Sequence, residues 1–422
     1  MAGEWEVLTL REAGVSLTDC DHRTPPAAET GYPYVAIPQL RGGRIEFKDA
    51  RRISPEHFAE WTRKAKPNAD DVVLSRRCNP GETALVSPGM EFALGQNLVL
   101  LRADGQRVHP PFLRWLTRGP QWWEQIGKFI NVGAVFDSLK CADVPKFELT
   151  IPPLPEQRAI AHILGTLDDK IELNRRRNQT LETMARALFQ DWFVDFGPVR
   201  AKLEGREPYL PADFWQLFPE RLDDEGKPEG WEYRQVSDFA ELKGGKQLEK
   251  EQIAPAGQVP VFGGAGVMGY TNNHNADGFV IAVGRVGAYC GQFFAHRGKA
   301  WINNNASLIR QTDDRFGEWL FLSLRNADID VIKKGAAQPF VSNGDIAKLP
   351  LMWPGDNVVH AFLDIVVPVL KKKEQNDAES NALAQLRDTL LPKLISGALR
   401  ITNAEKFMEL TAVRNRMEVT AG

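Results

Sequence analysis

The chain contains few of the features that mark secreted, membrane or metal-dependent proteins. Its four cysteines, Cys20, Cys78, Cys141 and Cys290, are never two to four residues apart. This spacing excludes zinc-finger, redox-motif and disulfide-framework patterns. The first residues hold no cationic start followed by an apolar run, and no stretch of about 18 apolar residues occurs. We therefore expect a cytoplasmic protein with no membrane partner and no metal site.

Catalytic signatures are also scarce. The sequence has no GxxxxGK[ST] phosphate loop, no metal-spaced His/Cys cluster and no paired nucleophile and base. Two segments imitate an adenine methyltransferase: Phe262–Gly266 matches the F-x-G-x-G pattern of adenosylmethionine pockets, and His109–Phe112 mimics the catalytic tetrapeptide. A poor helix sequence follows the first segment, and histidine replaces the residue that grips the target amine in the second. We therefore predict a turn and a helix start.

Strong net charge is absent as well. Lysine and arginine number 52 against 55 aspartate and glutamate, and the formal net charge is −3. Nucleic-acid binding needs a locally positive surface, so a DNA-binding chain of this composition must segregate its charges or depend on a partner subunit for positive potential. At 422 residues the chain is longer than a single domain of roughly 100–200 residues, so we predict two domains.

What the sequence does contain is an internal repeat. Asn97–Arg102 aligns with Asn305–Arg310 at a separation of 208 residues, and Arg77 meets Arg285 at the same separation. We call residues 1–152 the first repeat and residues 230–354 the second repeat. Matching elements are predicted in both. The expected strands are Asp71–Ser75, Asn97–Leu101, Phe279–Val283 and Ser307–Arg310, and the expected helices are Pro110–Leu116 and Phe316–Arg325.

Each repeat is followed by a long run with helical spacing. Apolar residues step by four and three positions alternately, as in a coiled-coil seam, and both runs have a polar centre. Pro155 begins the first helix and Gly197-Pro198 closes it, while the second ends near Gly397 with a bend but no break at Pro368. The expected seam residues are Ile160, Leu164, Leu167, Ile171, Leu181, Leu188 and Trp192 in the first helix and Phe362, Ile365, Leu383, Leu386 and Leu390 in the second.

Connectivity sets the direction of the two helices. The first would span roughly 58 Å at 1.5 Å per residue and carry the chain to the second repeat, so the second must run back. The predicted fold class is therefore α+β, with two similar α/β domains separated by two long antiparallel helices and related by an approximate two-fold axis. The tail after Arg400 is either a short helix or loose.

These residues resemble the specificity subunit family of type I restriction–modification enzymes. Ile151–Phe196 is similar to the first conserved helical region of that family, Leu386–Arg400 to the end of the second, and Phe218–Glu232 to the junction before the second target-recognition domain. The resemblance extends to about Arg400. It implies target-recognition domains at 1–152 and 230–354, spacer helices at 153–197 and 355–398, a linker at 198–229 and a tail at 399–422.

The resemblance implies a non-catalytic subunit with no cofactor of its own. Each domain would contact one half of a split double-stranded DNA target, and the helices would separate the domains and dock two methyltransferase subunits. S-adenosylmethionine would serve adenine methylation by those partners, and ATP and magnesium would serve added motor and nuclease subunits. A self-sufficient adenine methyltransferase is the alternative, and a coiled-coil adaptor without a DNA role is a third hypothesis.

Candidate DNA contacts follow from base chemistry, because arginine and lysine suit guanine whereas asparagine and glutamine suit adenine. Arg76 and Arg77 follow a predicted strand, and Arg285 lies at the equivalent place between Gly284 and Gly287. Each is otherwise an ordinary surface residue of a turn. Further candidates for phosphate or base contacts, all near Gly-rich turns, are Lys243, Lys246, Gln247, Lys333, Lys334, Gln338 and Ser342.

The predicted helices would act as a ruler along DNA. Adding or removing four residues in one helix should change the number of unread base pairs between the two halves of the target, because helix length sets the separation of the domains. Substitutions inside one repeat serve as the control and should alter only one half. Mapping methylated adenines in the host genome measures both. An unchanged gap after helix insertion would contradict the spacer role.

Overall fold

The computed structural model describes residues 4–133, 135–335 and 337–411. The chain divides into two compact units: unit 1 comprises Met1–Leu173 and Glu379–Gly422, and unit 2 comprises Asn174–Ala378. Each unit contains one repeat together with one half of each long helix. The polypeptide therefore enters unit 2 and returns to unit 1 through helices.

The first repeat is built around a four-stranded sheet in the order β2-β10-β7-β8, with smaller sheets β6-β3-β9, β1-β11 and β4-β5. Its strands are β1 Glu6–Thr9, β2 Val15–Asp19, β3 Tyr32–Val35, β4 Leu40–Arg41, β5 Arg44–Ile45, β6 Arg51–Ile53, β7 Val72–Ser75, β8 Thr83–Leu85, β9 Ala93–Leu94, β10 Leu98–Ala103 and β11 Glu148–Ile151. Its helices are α1 Pro55–Thr62, α2 Pro110–Leu116 and α3 Pro120–Phe129. The first long helix, α4 Leu154–Phe193, follows, and the linker carries α5 Gly197–Leu203 and α6 Ala212–Trp215.

The second repeat reproduces this plan. Its four-stranded sheet has the order β13-β19-β16-β17, and sheets β15-β14-β18 and β12-β20 correspond to β6-β3-β9 and β1-β11. The strands are β12 Glu232–Gln235, β13 Ala240–Gly244, β14 Val259–Gly263, β15 Gly266–Thr271, β16 Phe279–Gly284, β17 Phe293–Arg297, β18 Trp301–Ile302, β19 Ala306–Gln311 and β20 Pro350–Trp353. The helices are α7 Gly317–Asn326, α8 Asn343–Ala347 and the second long helix, α9 Asp356–Ile395.

The short apolar strands predicted from the sequence lie between two cores. On β7, Val72 and Leu74 pack into the core shared with the long helices, whereas Val73 packs into a separate core on the opposite sheet face. On β16, Ile281 and Ala282 divide between two cores in the same way. Because successive side chains of a strand point to opposite faces, covering both faces requires a continuous apolar run.

The two segments that imitate methyltransferase motifs form a turn and the start of a helix, as expected. Phe262–Gly266 connects β14 to β15 as a hairpin turn, so a strand follows it where an adenosylmethionine loop would need a helix. His109 is the N-cap residue of α2, with Pro110 at the first helical position.

The long helices are antiparallel within each unit, as predicted. In unit 1, Asp168 pairs with Arg387 at 2.6 Å and Lys170 with Glu379 at 3.5 Å. In unit 2, Glu182 lies 3.4 Å from Lys373, and the rings of Phe189 and Phe362 are 5.9 Å apart. Later residues of α4 thus meet earlier residues of α9.

Eleven of the twelve residues expected at the seam are buried or half-buried, and one, Leu386, is exposed. Leu386 is 48% exposed, while Arg387 beside it faces Asp168 and Leu394 is buried. An alternating step of four and three repeats every 3.5 residues, whereas an α-helix turns every 3.6, so the contact face has moved by this stage of α9. Ile160, Leu164, Trp192 and Phe362 are buried, and the half-buried remainder are Leu167, Ile171, Leu181, Leu188, Ile365, Leu383 and Leu390.

The ends of α9 and of the described chain are also ordered. Helix α9 passes through the exposed Pro368 without a break, as predicted. After it ends, Gly397 adopts a φ of +79°, the left-handed conformation that commonly terminates helices. In the tail, residues 404–411 are helical, and residues 412–422 lie outside the described residues. No helix in the described ranges has the length and apolarity needed to cross a membrane.

A buried carboxylate ties the end of unit 1 to its beginning. Glu156, the acidic residue in the first turn of α4, accepts hydrogen bonds from Trp5 Nε1 at 3.0 Å, from the Arg400 guanidinium at 2.9 Å and from the Ile401 amide at 3.0 Å. Burial raises the pKa of Glu156, but these hydrogen bonds outweigh burial and hold its pKa below the ordinary value.

Glu156→Gln should therefore loosen unit 1 at neutral pH. Hydrogen bonds to a charged group contribute about 2 kcal/mol, so hydrogen exchange of the Ile401 amide should accelerate roughly 30-fold. Because the folded-state pKa lies below the unfolded value of about 4.3, this stabilisation is present above that pH and is lost as the pH falls through the folded-state pKa.

The matched control is Glu232→Gln, which disrupts only an exposed ion pair with Arg234 and should change exchange little. Equal acceleration in the two variants would contradict a structural role for Glu156.

Candidate nucleic-acid interface

In both repeats the chain leaves the central sheet at an arginine. Arg76 follows β7, and its backbone N–H donates to the carbonyl of Asn97 at 2.9 Å. Arg285 follows β16 and donates to the carbonyl of Asn305 at 3.2 Å. The carbonyls of the two arginines accept in turn from equivalent residues of a later loop, Leu139 and Val341 respectively, at 2.9 and 3.0 Å.

These hydrogen bonds correct the predicted alignment of Arg77 with Arg285. The structural equivalent of Arg285 is Arg76. The segment from arginine to asparagine is one residue longer in the first repeat, running from 76 to 97 against 285 to 305. The separation of 208 residues that aligns the asparagines is therefore one residue too short for the arginines.

The two arginines of the first repeat have different environments. Arg76 is 8% exposed, with its guanidinium 3.8 Å from Asp19 and 3.5 Å from the carbonyl of Leu139. Arg77 is exposed, and its guanidinium lies 5.3 Å from the centre of the Phe136 ring. Of the two candidates, Arg77 is therefore the one whose side chain reaches solvent.

Asp19 belongs to a hydrogen-bonded cluster. With Cys20 and His22 it offers three possible metal-ligand atoms within 4.8 Å of one another. The His22 ring nitrogens already contact Asp19 at 2.9 Å and the carbonyl of Gln96 at 3.1 Å, and the positive charge of Arg76 opposes a divalent cation. Burial raises the pKa of Asp19, but Arg76, His22 and Cys141 outweigh it and lower that pKa.

In the second repeat the structure brings the predicted candidates to one end of the sheet. Arg285 bonds through its backbone to Asn305 on one side and to Val341 on the other. The turn that holds Lys246 pairs with the segment before Asn305, since the Lys246 N–H donates to Ile302. The loop that holds Lys334, Gln338 and Ser342 therefore lies on one side of Arg285, and the segment with Lys243, Lys246 and Gln247 on the other.

Several of these candidates already have intramolecular partners. Lys243 pairs with Glu241 at 2.9 Å, Lys333 with Asp330 at 2.6 Å and Lys334 with Asp345 at 2.8 Å. Ser342 caps α8 by accepting from the Asp345 N–H at 3.1 Å, and Gln247 accepts from Asn304 at 3.1 Å. Lys246 and Gln338 are exposed.

Sequence reasoning missed several exposed side chains at the same end. Asn304 and Asn305 are exposed and have the amide chemistry that reads adenine, and Tyr289 is 51% exposed. The run of three consecutive asparagines, residues 303–305, was the available signal. In the sequence Asn305 marks only the alignment of the two repeats, and its position beside Arg285 follows from the pairing of β16 with β19.

The duplicated sheets and helices place the chain among known proteins. A family model described as the type I restriction modification DNA specificity domain matches residues 3–183 and 228–383. The chain belongs to this family. The two matched segments fall on the two repeats and on parts of the long helices, so the predicted family and fold class are confirmed.

Relatives of this specificity-domain protein cover most of its length. The type I restriction enzyme HindI specificity subunit of Haemophilus influenzae is 26% identical over 406 residues, covering 80% of this chain and 88% of that protein. The MjaIX specificity subunit of Methanocaldococcus jannaschii is 25% identical over 416 residues, covering 89% and 86%. The S subunit of a type I restriction-modification system from M. genitalium shares the fold, with a TM-score of 0.55 at 17% identity over 93% of this chain and 96% of that one.

The long helices of the specificity-domain protein contain a buried polar layer in unit 2. Asn376 Nδ2 donates to Asn178 Oδ1 at 2.9 Å, and Asn178 Nδ2 donates to Asp377 at 2.7 Å. Asn174 Nδ2 lies 3.4 Å from the Asn376 carbonyl. The three asparagines are buried, which confirms the polar centre expected from the sequence. Such a layer favours one register, because sliding the helices would separate buried donors from acceptors.

Replacing one member of this layer should cost more than replacing two. Asn376→Leu leaves the buried Asn178 amide short of a partner and should lower the free energy of unfolding of unit 2 by about 1–3 kcal/mol. The double variant Asn178→Leu/Asn376→Leu should recover part of that loss. Chemical denaturation combined with hydrogen exchange of α4 and α9 measures both.

Gln179→Leu on the exposed face of α4 is the matched control and should change stability by less than about 0.5 kcal/mol. Strictly additive costs in the double variant would argue against a coupled layer.

Proposed function

We propose that this protein is the DNA sequence-specificity subunit of a type I restriction–modification complex. It reads a split double-stranded target, one half with each repeat, and its two long helices serve as the spacer and as the docking surface for two methyltransferase subunits. Restriction and motor subunits join the same complex. Because its ligand is genomic DNA, the protein acts in the cytoplasm.

The observation that carries this proposal is the duplication. The two repeats share the same strand order in three sheets and place an arginine and an asparagine at the same sheet end. One chemical reaction rarely needs its pocket twice in one chain, whereas two separated contacts on one elongated ligand need two readers. The family match over both segments supports the same function.

The proposed division of the chain follows the repeats. Residues 1–152 and 230–354 are the target-recognition domains, 153–197 and 355–398 are the spacer helices, 198–229 is the linker, and 399–422 is the tail. The chain itself holds no cofactor in this scheme. S-adenosylmethionine belongs to the methyltransferase partners, and ATP and magnesium belong to the motor and nuclease partners.

The candidate contacts have different roles in this proposal. Arg77, Lys246 and Gln338 are exposed and suit phosphate or base contacts. Lys243, Lys333 and Lys334 would have to leave their acidic partners, so they are weaker candidates for phosphate binding. Arg76 is held inside the first repeat, and Gln247 and Ser342 form hydrogen bonds within the second repeat. Arg285 is the remaining candidate.

Methylation in a host that lacks its own adenine methylation tests the proposal. Coexpression of this chain with its methyltransferase subunits should produce one methylated motif of two short sequences separated by a fixed gap. A chimera that takes residues 230–354 from another family member should change one half of that motif and retain the other. The chain without its partners is the control and should leave DNA unmethylated. Adenine methylation by the isolated chain, or a continuous motif without a gap, would reject the proposal.

A further inference from the structure

The two repeats differ in charge at one position beside the strand-end arginine. Asp19 on β2 lies opposite Val99 on β10, and Gly244 on β13 lies opposite Ser307 on β19. Val99 and Ser307 are equivalent, because each lies two residues after the asparagine that precedes its strand, Asn97 or Asn305. Gly244 therefore occupies the position that Asp19 occupies in the first repeat, and the carboxylate beside the arginine is present in one repeat only.

In the first repeat this carboxylate restrains the arginine. Asp19 Oδ1 lies 3.8 Å from Arg76 Nη2, and Arg76 is 8% exposed. A guanidinium that is buried and paired with a carboxylate must break that pair before it can bind a base, which is costly for a buried charge. Arg76 therefore has a structural role within the first repeat.

In the second repeat the arginine has no such carboxylate. Arg285 Nη1 lies 3.6 Å from the place that a Cβ on Gly244 would occupy. Its Nε is enclosed and has no hydrogen-bond partner. Across the described ranges 4–133, 135–335 and 337–411, no hydrogen bond or ion pair of the Arg285 guanidinium is present. Two carboxylates of the same repeat are engaged elsewhere, Glu241 by Lys243 and Asp345 by Lys334.

We propose that Arg285 is a specificity-determining residue that donates from its two Nη groups to O6 and N7 of a guanine in the half-site read by the second repeat. The assignment rests on the proposed function. By contrast, Asp19 withholds Arg76 from DNA in the first repeat. The half-sites thus differ in how they are read, although the two sheets share one topology.

A guanine edge fits this group better than a phosphate. Arg285 is half-buried and its Nε is enclosed, so the outer edge with both Nη groups is the part that remains for a ligand. The planar fork of a guanidinium suits the two parallel acceptors of guanine, whereas phosphate contacts tolerate mobile point charges such as the exposed Lys246. Asn304 and Asn305 expose amides at the same sheet end for neighbouring bases.

The experiment uses the full chain assembled with its methyltransferase subunits. The methylated motif identifies the target, and the chimera that exchanges residues 230–354 identifies the half read by the second repeat. Affinity is then measured for duplexes in which each guanine of that half is replaced singly by 7-deazaguanine, which lacks the N7 acceptor. At one position the wild-type complex should lose affinity several-fold. This is part of the roughly 5- to 150-fold value of a bidentate base contact, because O6 remains as an acceptor.

Three variants separate the explanations. Arg285→Gln should bind the unmodified duplex at least as weakly as wild type binds the modified one, and the 7-deazaguanine substitution should cause no further loss. Arg285→Lys should not restore affinity, because lysine lacks the fork. Gly244→Asp should act like Arg285→Gln, because it installs the carboxylate of the first repeat. The backbone at Gly244 is not left-handed, and Arg285 provides the nearest atom to an added Cβ.

Arg310→Gln is the matched control, since it removes an exposed arginine near the far end of β19 and should leave base preference unchanged. Full rescue by Arg285→Lys would assign the contact to phosphate and overturn the proposal. A wild-type half-site without guanine, or Arg285→Gln and Gly244→Asp variants with wild-type affinity, would overturn it as well. Absence of any split motif with the wild-type chain would instead reject the proposed function.

Discussion

Neither repeat closes its hydrophobic core with its own residues alone. In unit 1, Leu164 of α4 and Leu394 of α9 belong to the core that the first repeat builds around Phe112. In unit 2, Trp192 and Phe362 complete the core of the second repeat. Removing a buried side chain of this size costs about 2–5 kcal/mol, so the stability of each repeat depends on both long helices, including the one that does not directly follow it. The helices are therefore structural parts of both repeats.

Buried ion pairs fix the orientation of the helices that make these apolar contacts. In unit 1, Asp168 of α4 receives Arg114 from α2 and Arg387 from α9. Burial lowers the pKa of Arg114 to about 10, although Asp168 acts to raise it. In unit 2, Arg297 joins the buried Glu318 of α7 to Glu374 of α9. An apolar seam allows helices to rotate or slide. By contrast, ion pairs that join three elements, through one carboxylate in unit 1 and through one arginine in unit 2, are satisfied in one geometry. Each recognition domain is thereby held in a fixed orientation on its own section of helix.

Local patterns predicted the elements well, because their causes are local. The helix at Pro110–Leu116 and both long helices follow from apolar spacing and proline or glycine boundaries, and α2 has the predicted bounds. The alignment of Arg77 with Arg285 failed because an inserted residue between two strands leaves no mark in composition or periodicity. The burial of Arg76 could not be predicted from local patterns either. It depends on Asp19, which lies 57 positions earlier and becomes adjacent only when β2 pairs with β10.

The slightly acidic net charge of the chain has a local counterpart at the end of the second repeat's central sheet, where Arg285 lies. Lys243, Lys333 and Lys334 are paired with Glu241, Asp330 and Asp345, so the positive charge of these three lysines is compensated within the chain. The exposed Lys246 and the Arg285 guanidinium are the cationic groups that the proposed DNA contact would use there. In the proposed complex, binding at this sheet end depends on oriented donors and on positive potential from other subunits. Recognition by few, fixed hydrogen bonds then favours selectivity over affinity, and it leaves most of the binding free energy to the assembled complex.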